Sequence, residues 1–142
     1  MYRRVDLVFM EYALILPTLR QTELIAFQRR DDKAPTEPNL LGLFGGGIEA
    51  GETPPVAALR EINEETSLGV AAQELRFCFD ADMPTERGMA RAYLFMVGIM
   101  HTDFEVYEGS GFEMHSRVAA LKRADLSPGA GVLLRMLDVH EP

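Results

Sequence analysis

The sequence predicts an α/β domain, and three observations carry that prediction. Short apolar runs rich in β-branched and aromatic residues recur along the chain, two segments open with helix-capping signals, and the bulk composition is globular. Of 142 residues 47% are apolar and 25% are charged, which excludes disorder, coiled coil and collagen. That length suits one domain, taken here as residues 1–142, with any site built from a single core and its loops.

The strand candidates come in order. "LVFMEYALIL" (7–16) and "ELIAFQRR" (23–30) read as the first two, and "LRFCFD" (75–80) as the third. In the third, Leu75, Phe77 and Phe79 alternate with Arg76, Cys78 and Asp80, the period of a strand with one face in the core. "ARAYLFMVGIM" (90–100) is apolar nearly throughout, as a central strand covered on both faces would be. Between the second and third, "RRDDKAPTEPNLLG" holds two prolines and mixed charge and reads as a surface loop, followed by a glycine turn at Gly45, Gly46 and Gly47.

Two helices are predicted. Thr53 caps the first, with Pro54 at the first helical position, where its missing N–H costs nothing. Over residues 54 to about 67, Val56, Leu59, Ile62 and Thr66 form a stripe expected to face the sheet. Glu61, Glu64 and Glu65 share the opposite face at i, i+3, i+4 spacing, with the small Ala57 and Ala58 one turn earlier leaving that face open. The second helix opens at Ser127-Pro128 and runs to the C-terminus.

Net charge is −8 and the basic residues are scattered, so no nucleic-acid surface is indicated. The lone cysteine, Cys78, permits no intramolecular disulfide, and a reducing, cytoplasmic compartment is the expectation. Asp6 and Glu11 interrupt the apolar N-terminal run, which reads as a strand and not a signal sequence. No apolar run approaches the ~20 residues that span a bilayer, so no membrane partner is expected.

Crowding three glutamates within five residues of an acidic chain costs repulsion, roughly 3 kcal/mol per close pair at an effective dielectric near 20. A wet helix face tolerates this, so the run alone carries no function. Beside it, however, three glycines allow a backbone carbonyl to approach a ligand. Glycine turn and carboxylates together make an all-oxygen cage of the kind Mg²⁺ or Mn²⁺ prefers.

Reading from Gly46, the spacing is G-x5-E-x7-R-E-U-x-E-E-x-(G)-U, U being apolar, matched by Gly46, Glu52, Arg60, Glu61, Ile62, Glu64, Glu65 and Leu68. This resembles the Nudix box, the signature of hydrolases that cleave a nucleoside diphosphate linked to another moiety. Ser67 stands where that pattern has Gly, and Gly69 is a candidate to take over a left-handed helix cap. The resemblance implies the Nudix fold, a mixed β-sheet sandwiched between α-helices, a Mg²⁺ or Mn²⁺ cofactor and a small nucleotide or nucleotide-linked substrate. It implies Glu64 and Glu65 as metal ligands, Glu61 as ligand or general base, and the Gly45 carbonyl as a further ligand, with Gly46 beside the substrate. Glu52 and Arg60 are expected to pair and hold loop against helix. A later glutamate is a ligand in some members; Glu108 in "VYEGSGFE" fits that place, with Glu86, Glu105 and Glu113 as competitors. Arg29 and Arg30, ending the second strand, are candidates for substrate phosphate or base.

The resemblance leaves a non-catalytic ligand sensor as the alternative to a hydrolase, although sensors commonly lose box carboxylates and this chain keeps them. Oxidised-purine triphosphates are disfavoured as substrate, because "LSPGAGV" offers only Gly129, Ala130 and Gly131 where mutator-type members carry a base-reading Asn. Substrate and oligomeric state stay open, a homodimer among the options.

Overall fold

The computed structural model describes residues 10–140, of which 138–140 by backbone only. Residues 7–9 of the first predicted strand, Asp6 and the last two residues of the C-terminal segment therefore lie outside the described residues. Among the described residues seven strands form one sheet. β1 (Glu11–Leu19), β2 (Leu24–Arg29), β3 (Leu41–Gly42), β5 (Arg76–Thr85) and β6 (Gly88–Ile99) follow the order β3-β2-β1-β6-β5, while β4 (Phe44–Gly47) pairs with β1 and β7 (Phe112–Ser116) with β2. β1 and β6 run parallel from Glu11↔Arg91 to Leu19↔Ile99, and the other pairings are antiparallel, so the sheet is mixed.

Strand alternation sends successive residues of β1 to opposite faces, and two cores result. Leu14 and Leu16 meet Phe27, Leu94, Leu133 and Leu134 under α3 (Pro128–His140). Ala13 and Ile15 meet Phe44, Ala57, Ala58 and Ile62 under α1 (Pro54–Glu65). The sheet is thus sandwiched as expected, and β6 serves both cores, with Leu94 on one face and Phe95 on the other. The short α2 (Arg117–Leu121), capped by Ser116, joins β7 towards α3. Among the described residues no helix is long and apolar enough to cross a membrane.

Two sequence expectations need correction. Phe77 is 51% exposed, because the register shifts between Phe77 and Phe79. Leu75 lies on the α1 side, whereas Phe79, Ala81 and Met83 lie on the α3 side, so this bulge moves the apolar set from one face to the other. In α1, Val56 is 54% exposed, and Ala57 and Ala58 are the residues buried against the sheet. Small alanines let the helix approach the glycine-bearing β4 closely, which a β-branched residue would prevent. The buried face is therefore rotated towards the glutamates, and Glu65 goes under with it.

Candidate active site

The glycines after Phe44 form a strand and not a free turn. Gly45, Gly46 and Gly47 pair with Leu14, Ala13 and Tyr12 of β1. Gly45 has φ +128°, and a Cβ there would lie 2.1 Å from the Ala13 carbonyl oxygen, so only glycine fits. A Cβ on Gly46 would lie 2.7 Å from Glu61 Oε1, so its hydrogen makes room for that carboxylate.

Helix α1 starts as predicted: Thr53 Oγ1 accepts from the Val56 N–H at 3.4 Å, and Pro54 occupies the first turn. The loop ahead of it is tied back by Arg60, which donates to both Glu52 oxygens at 2.7 and 2.9 Å and to the Gly47 carbonyl at 3.2 Å. The same guanidinium reaches Glu61 at 3.0 Å and Glu64 at 3.3 Å. Its hydrogen bonds, chiefly, hold the Glu52 carboxyl down at about 2.

The three helix carboxylates have different settings. Glu65 is 5% exposed, and its Oε1 accepts the Gly45 N–H at 2.8 Å. Burial pushes its carboxyl up to about 8, the Gly45 bond opposing and the charges of Glu61 and Glu108 adding to the rise. Glu61 is likewise raised, by burial first, against the pull of Arg60. Glu64 differs: its side chain is 61% exposed and leans on Arg60.

The end of α1 aligns the later loop. Ser67 donates its N–H to the Glu105 carbonyl at 3.0 Å and accepts the Glu105 N–H on its hydroxyl at 2.8 Å; Tyr107 N–H reaches the Glu65 carbonyl at 2.8 Å. The helix ends with Thr66 extended, and Gly69 takes the left-handed turn at φ +62°. The serine that departs from the glycine pattern is thus a tether between helix and loop. No spacing in the sequence foretells it, because its partner is a backbone group 38 residues away.

Those ties bring Glu108 beside Glu61 and Glu65. All three, with Gly45, Gly46 and Arg30, line one cavity of about 300 Å³. Its other wall was not predicted: Tyr12, Leu14, Leu43 and Met83 give an apolar floor, and Gly129 and Ala130 close it from α3. Their periodicity marks them as core residues, and only the assembled sheet shows that the core opens here. Arg30 donates to the Thr36 carbonyl at 2.9 Å and to its hydroxyl at 3.2 Å while facing the cavity.

Arg29 is placed elsewhere. It donates to Glu113 at 2.8 Å, Asp125 at 2.9 Å and the Asn39 carbonyl at 3.0 Å, a network joining β2, β7 and the turn before α3. Among the competitors of Glu108, Glu113 belongs to that network, Glu105 is tied to Ser67 by its backbone, and Glu86 stands at the cavity mouth, accepting the Glu37 N–H at 2.7 Å.

Among the described residues no group of three or more His, Cys, Asp or Glu side chains is gathered closely enough to hold a metal ion, while the carboxylates in the cavity have the chemistry of hard-cation ligands. A buried carboxylate without a matching positive charge costs free energy; among the described residues Glu65 is buried with only the Gly45 N–H as its partner, and it shares the cavity with Glu61, which Arg60 pairs, and with the exposed Glu108, Arg30 and Arg87 being the basic residues of the lining. Glu61, Glu65 and Glu108 supply oxygens of the type Mg²⁺ or Mn²⁺ takes, and the glycine strand keeps space open beside them.

Comparison with known proteins agrees with this architecture. Dihydroneopterin triphosphate diphosphatase of Escherichia coli (strain K12) is 40% identical over 52 residues, 37% of this chain. The chain spans about a third, 31%, of the length of the curated relatives it matches. Among solved structures, a MutT protein from Methanosarcina mazei Go1 superposes with TM-score 0.79 at 18% identity, covering 92% of this chain and 93% of that one. The E. coli dihydroneopterin triphosphate pyrophosphohydrolase superposes with TM-score 0.73 at 18% identity, covering 92% and 96%. The NUDIX domain of Shewanella oneidensis NrtR, complexed with ADP ribose, does so with TM-score 0.74 at 12% identity, covering 98% and 92%. These likenesses establish the fold, and the family follows from the match of residues 9–106 to the NUDIX domain model: the chain belongs to the NUDIX family.

Proposed function

We propose that this chain is a metal-dependent hydrolase that cleaves a nucleoside diphosphate linked to another moiety, by attack of water on phosphorus. One observation carries the reading: Glu61, Glu65 and Glu108 line a single cavity of about 300 Å³ with Gly45 and Gly46 and with the apolar Tyr12, Leu14, Leu43 and Met83. The relatives named as diphosphatase and pyrophosphohydrolase support the reaction class.

Glu61, Glu65 and Glu108 would hold Mg²⁺ or Mn²⁺ together with the Gly45 carbonyl; a turn of the exposed Glu64 side chain would bring a fourth carboxylate. When bound, the ion supplies positive charge to phosphate oxygens and acidity to water. The remaining work belongs to the chain. Arg30, fixed by Thr36, offers guanidinium donors to a phosphate oxygen at the cavity edge. Glu61, given room by Gly46, is either a ligand of that ion or the carboxylate that accepts a proton from water. Arg60 and Glu52 orient Glu61 by holding loop to helix. The floor of Tyr12, Leu14, Leu43 and Met83 excludes water from one side of the substrate.

A panel of nucleoside triphosphates, nucleotide sugars, ADP-ribose, dinucleoside polyphosphates and a reduced-pterin triphosphate, assayed with and without Mg²⁺, tests this reading. Metal-dependent release of phosphate-containing products from at least one compound is expected. Tight calorimetric binding with no product from any compound would replace it with the sensor alternative.

A further inference from the structure

We propose that Glu37, on the loop between β2 and β3, selects the substrate by its ring: its carboxylate accepts two hydrogen bonds from an edge that carries an N–H beside an amino group, the edge shared by guanine and the pterins. This rests on the hydrolase reading above and names the class of ring that the active-site cavity takes.

The apolar floor of the cavity does not tell one flat ring from another, so the polar groups at its edge must make that choice. Glu37 lines the cavity and is half-buried. Burial raises the carboxyls of Glu65 and Glu37 alike, and Arg30 opposes the rise in both; Glu61 and Glu108 add to it at Glu65, Glu86 at Glu37. Arg30 therefore stands between two ends of the cavity, with the carboxylate cluster at one and Glu37 at the other. A substrate whose phosphates meet the cluster and Arg30 extends its ring towards Glu37. Among the described residues no hydrogen bond or ion pair engages the Glu37 carboxylate, and Arg30 acts on it at longer range. The rim around it adds Glu86 and Arg87, both exposed, and one Glu86 oxygen already accepts the Glu37 N–H at 2.7 Å.

The backbone holds Glu37 in place. Its φ is +49°, a left-handed value uncommon for a residue with a long side chain. The peptide unit between Thr36 and Glu37 is tied on both sides, its carbonyl accepting from Arg30 Nε at 2.9 Å and its N–H donating to Glu86; the Glu37 carbonyl accepts the Leu40 N–H at 3.3 Å. Ties on every side keep the residue in that conformation and fix the direction in which its side chain leaves the loop. The rest is ring chemistry. An ionised carboxylate accepts hydrogen bonds and donates none. Guanine and the pterins meet it with two parallel donors, the ring N–H and the neighbouring 2-amino group, in the bidentate manner of a guanidinium. Hypoxanthine lacks that amino group. Adenine and cytosine set a ring lone pair beside their amino group, and uracil flanks its N–H with carbonyls, so each turns an acceptor towards Glu37.

The test compares wild type, E37Q and E37A. Calorimetry measures the affinity of GMP, IMP, AMP, UMP and neopterin monophosphate, and needs no turnover. Wild type is expected to bind GMP at least about tenfold more tightly than IMP or AMP, the effect of one charge-assisted contact. Gln presents one oxygen and one amine to the ring, so E37Q should lose about tenfold in GMP affinity and E37A at least as much, while AMP and UMP stay within about twofold. Neopterin monophosphate should follow GMP across the three proteins. Tighter binding of it than of GMP by wild type assigns the edge to pterins, and the reverse order to guanine nucleotides. Equal affinity of wild type for GMP and IMP, a GMP preference retained in both variants, or binding of neither GMP nor neopterin monophosphate by wild type overturns the proposal. Failure of the hydrolase reading is seen separately, as absence of turnover by wild type across the panel while the GMP preference stands.

Discussion

Glu65 is a carboxylate that folding alone would not choose to bury. Among the described residues its carboxylate hydrogen-bonds the Gly45 N–H, and its surroundings hold Glu61 and Glu108. Replacing it with Gln keeps an acceptor for Gly45 and removes the cost of a carboxyl that, without metal, folding must protonate below about pH 8 or bury ionised above it. In metal-free buffer E65Q should therefore melt at or above the wild-type temperature, while turnover falls by about three orders of magnitude. Added Mg²⁺ should raise the Tm of wild type and leave that of E65Q unmoved, because only a native state that binds the ion gains from it. Circular dichroism melts with and without Mg²⁺ read both effects. A lower Tm for E65Q without metal would mean that this carboxylate serves the fold. Gly46 makes a separate case. Its added methyl group would overlap the end of a flexible side chain, Glu61, and no backbone atom, so G46A should fold with nearly wild-type Tm. A carboxylate displaced by about 1 Å should still cost about 100-fold in kcat. A G46A enzyme with wild-type kcat would show that Glu61 has no positional demand.

At the scale of elements, the site depends on how α1 is held against β4 and the loop between them. Arg60 is the tie, and its bidentate bond to Glu52 is the short contact from loop to helix. Glu52 titrates at about 2 in the folded chain against an ordinary 4.5, so the bond contributes stability fully above 4.5 and loses that contribution as pH falls through about 2. In R60M the gap between wild-type and variant Tm should be widest near neutral pH and close progressively below pH 4.5. Melts across pH 2 to 7 check this; a gap independent of pH would assign the effect to packing. The bulge in β5 acts at the same scale. By moving Phe79, Ala81 and Met83 to the α3 face, it brings Met83 to the floor of the cavity, next to Gly129.

The whole molecule shows which parts of this arrangement sequence reading reaches. Thr53 and Pro54 announce the start of α1, Ser127 and Pro128 that of α3, and the apolar run of β6 its central place; each signal is local and needs no partner to be read. The paired glycines of β4 read as a turn, because glycine has no strand preference and only the close approach of Ala13 explains them. β7 and α2 escape sequence reading because both are only five residues long: "FEMHS" alternates Phe112 and Met114 with Glu113 and His115, but over too short a run to stand out, and its pairing with β2 is non-local. Within the site, Glu52 and Arg60 pair as their spacing suggests, and Glu61 and Glu65 meet at the cavity. Glu64 does not line it, Arg29 is spent on Glu113 and Asp125, and the apolar floor was invisible because long-range folding brings it there. On the proposed reading, an acidic chain that brings in a phosphate ester would need a cation at its carboxylates.

The most direct measurement is a Mn²⁺ titration followed by electron paramagnetic resonance, performed on wild type, E61Q and E65Q. The account predicts saturable binding by wild type, weakened at least about tenfold in each variant. Equal Mn²⁺ affinity in all three proteins, or none in wild type, would contradict it.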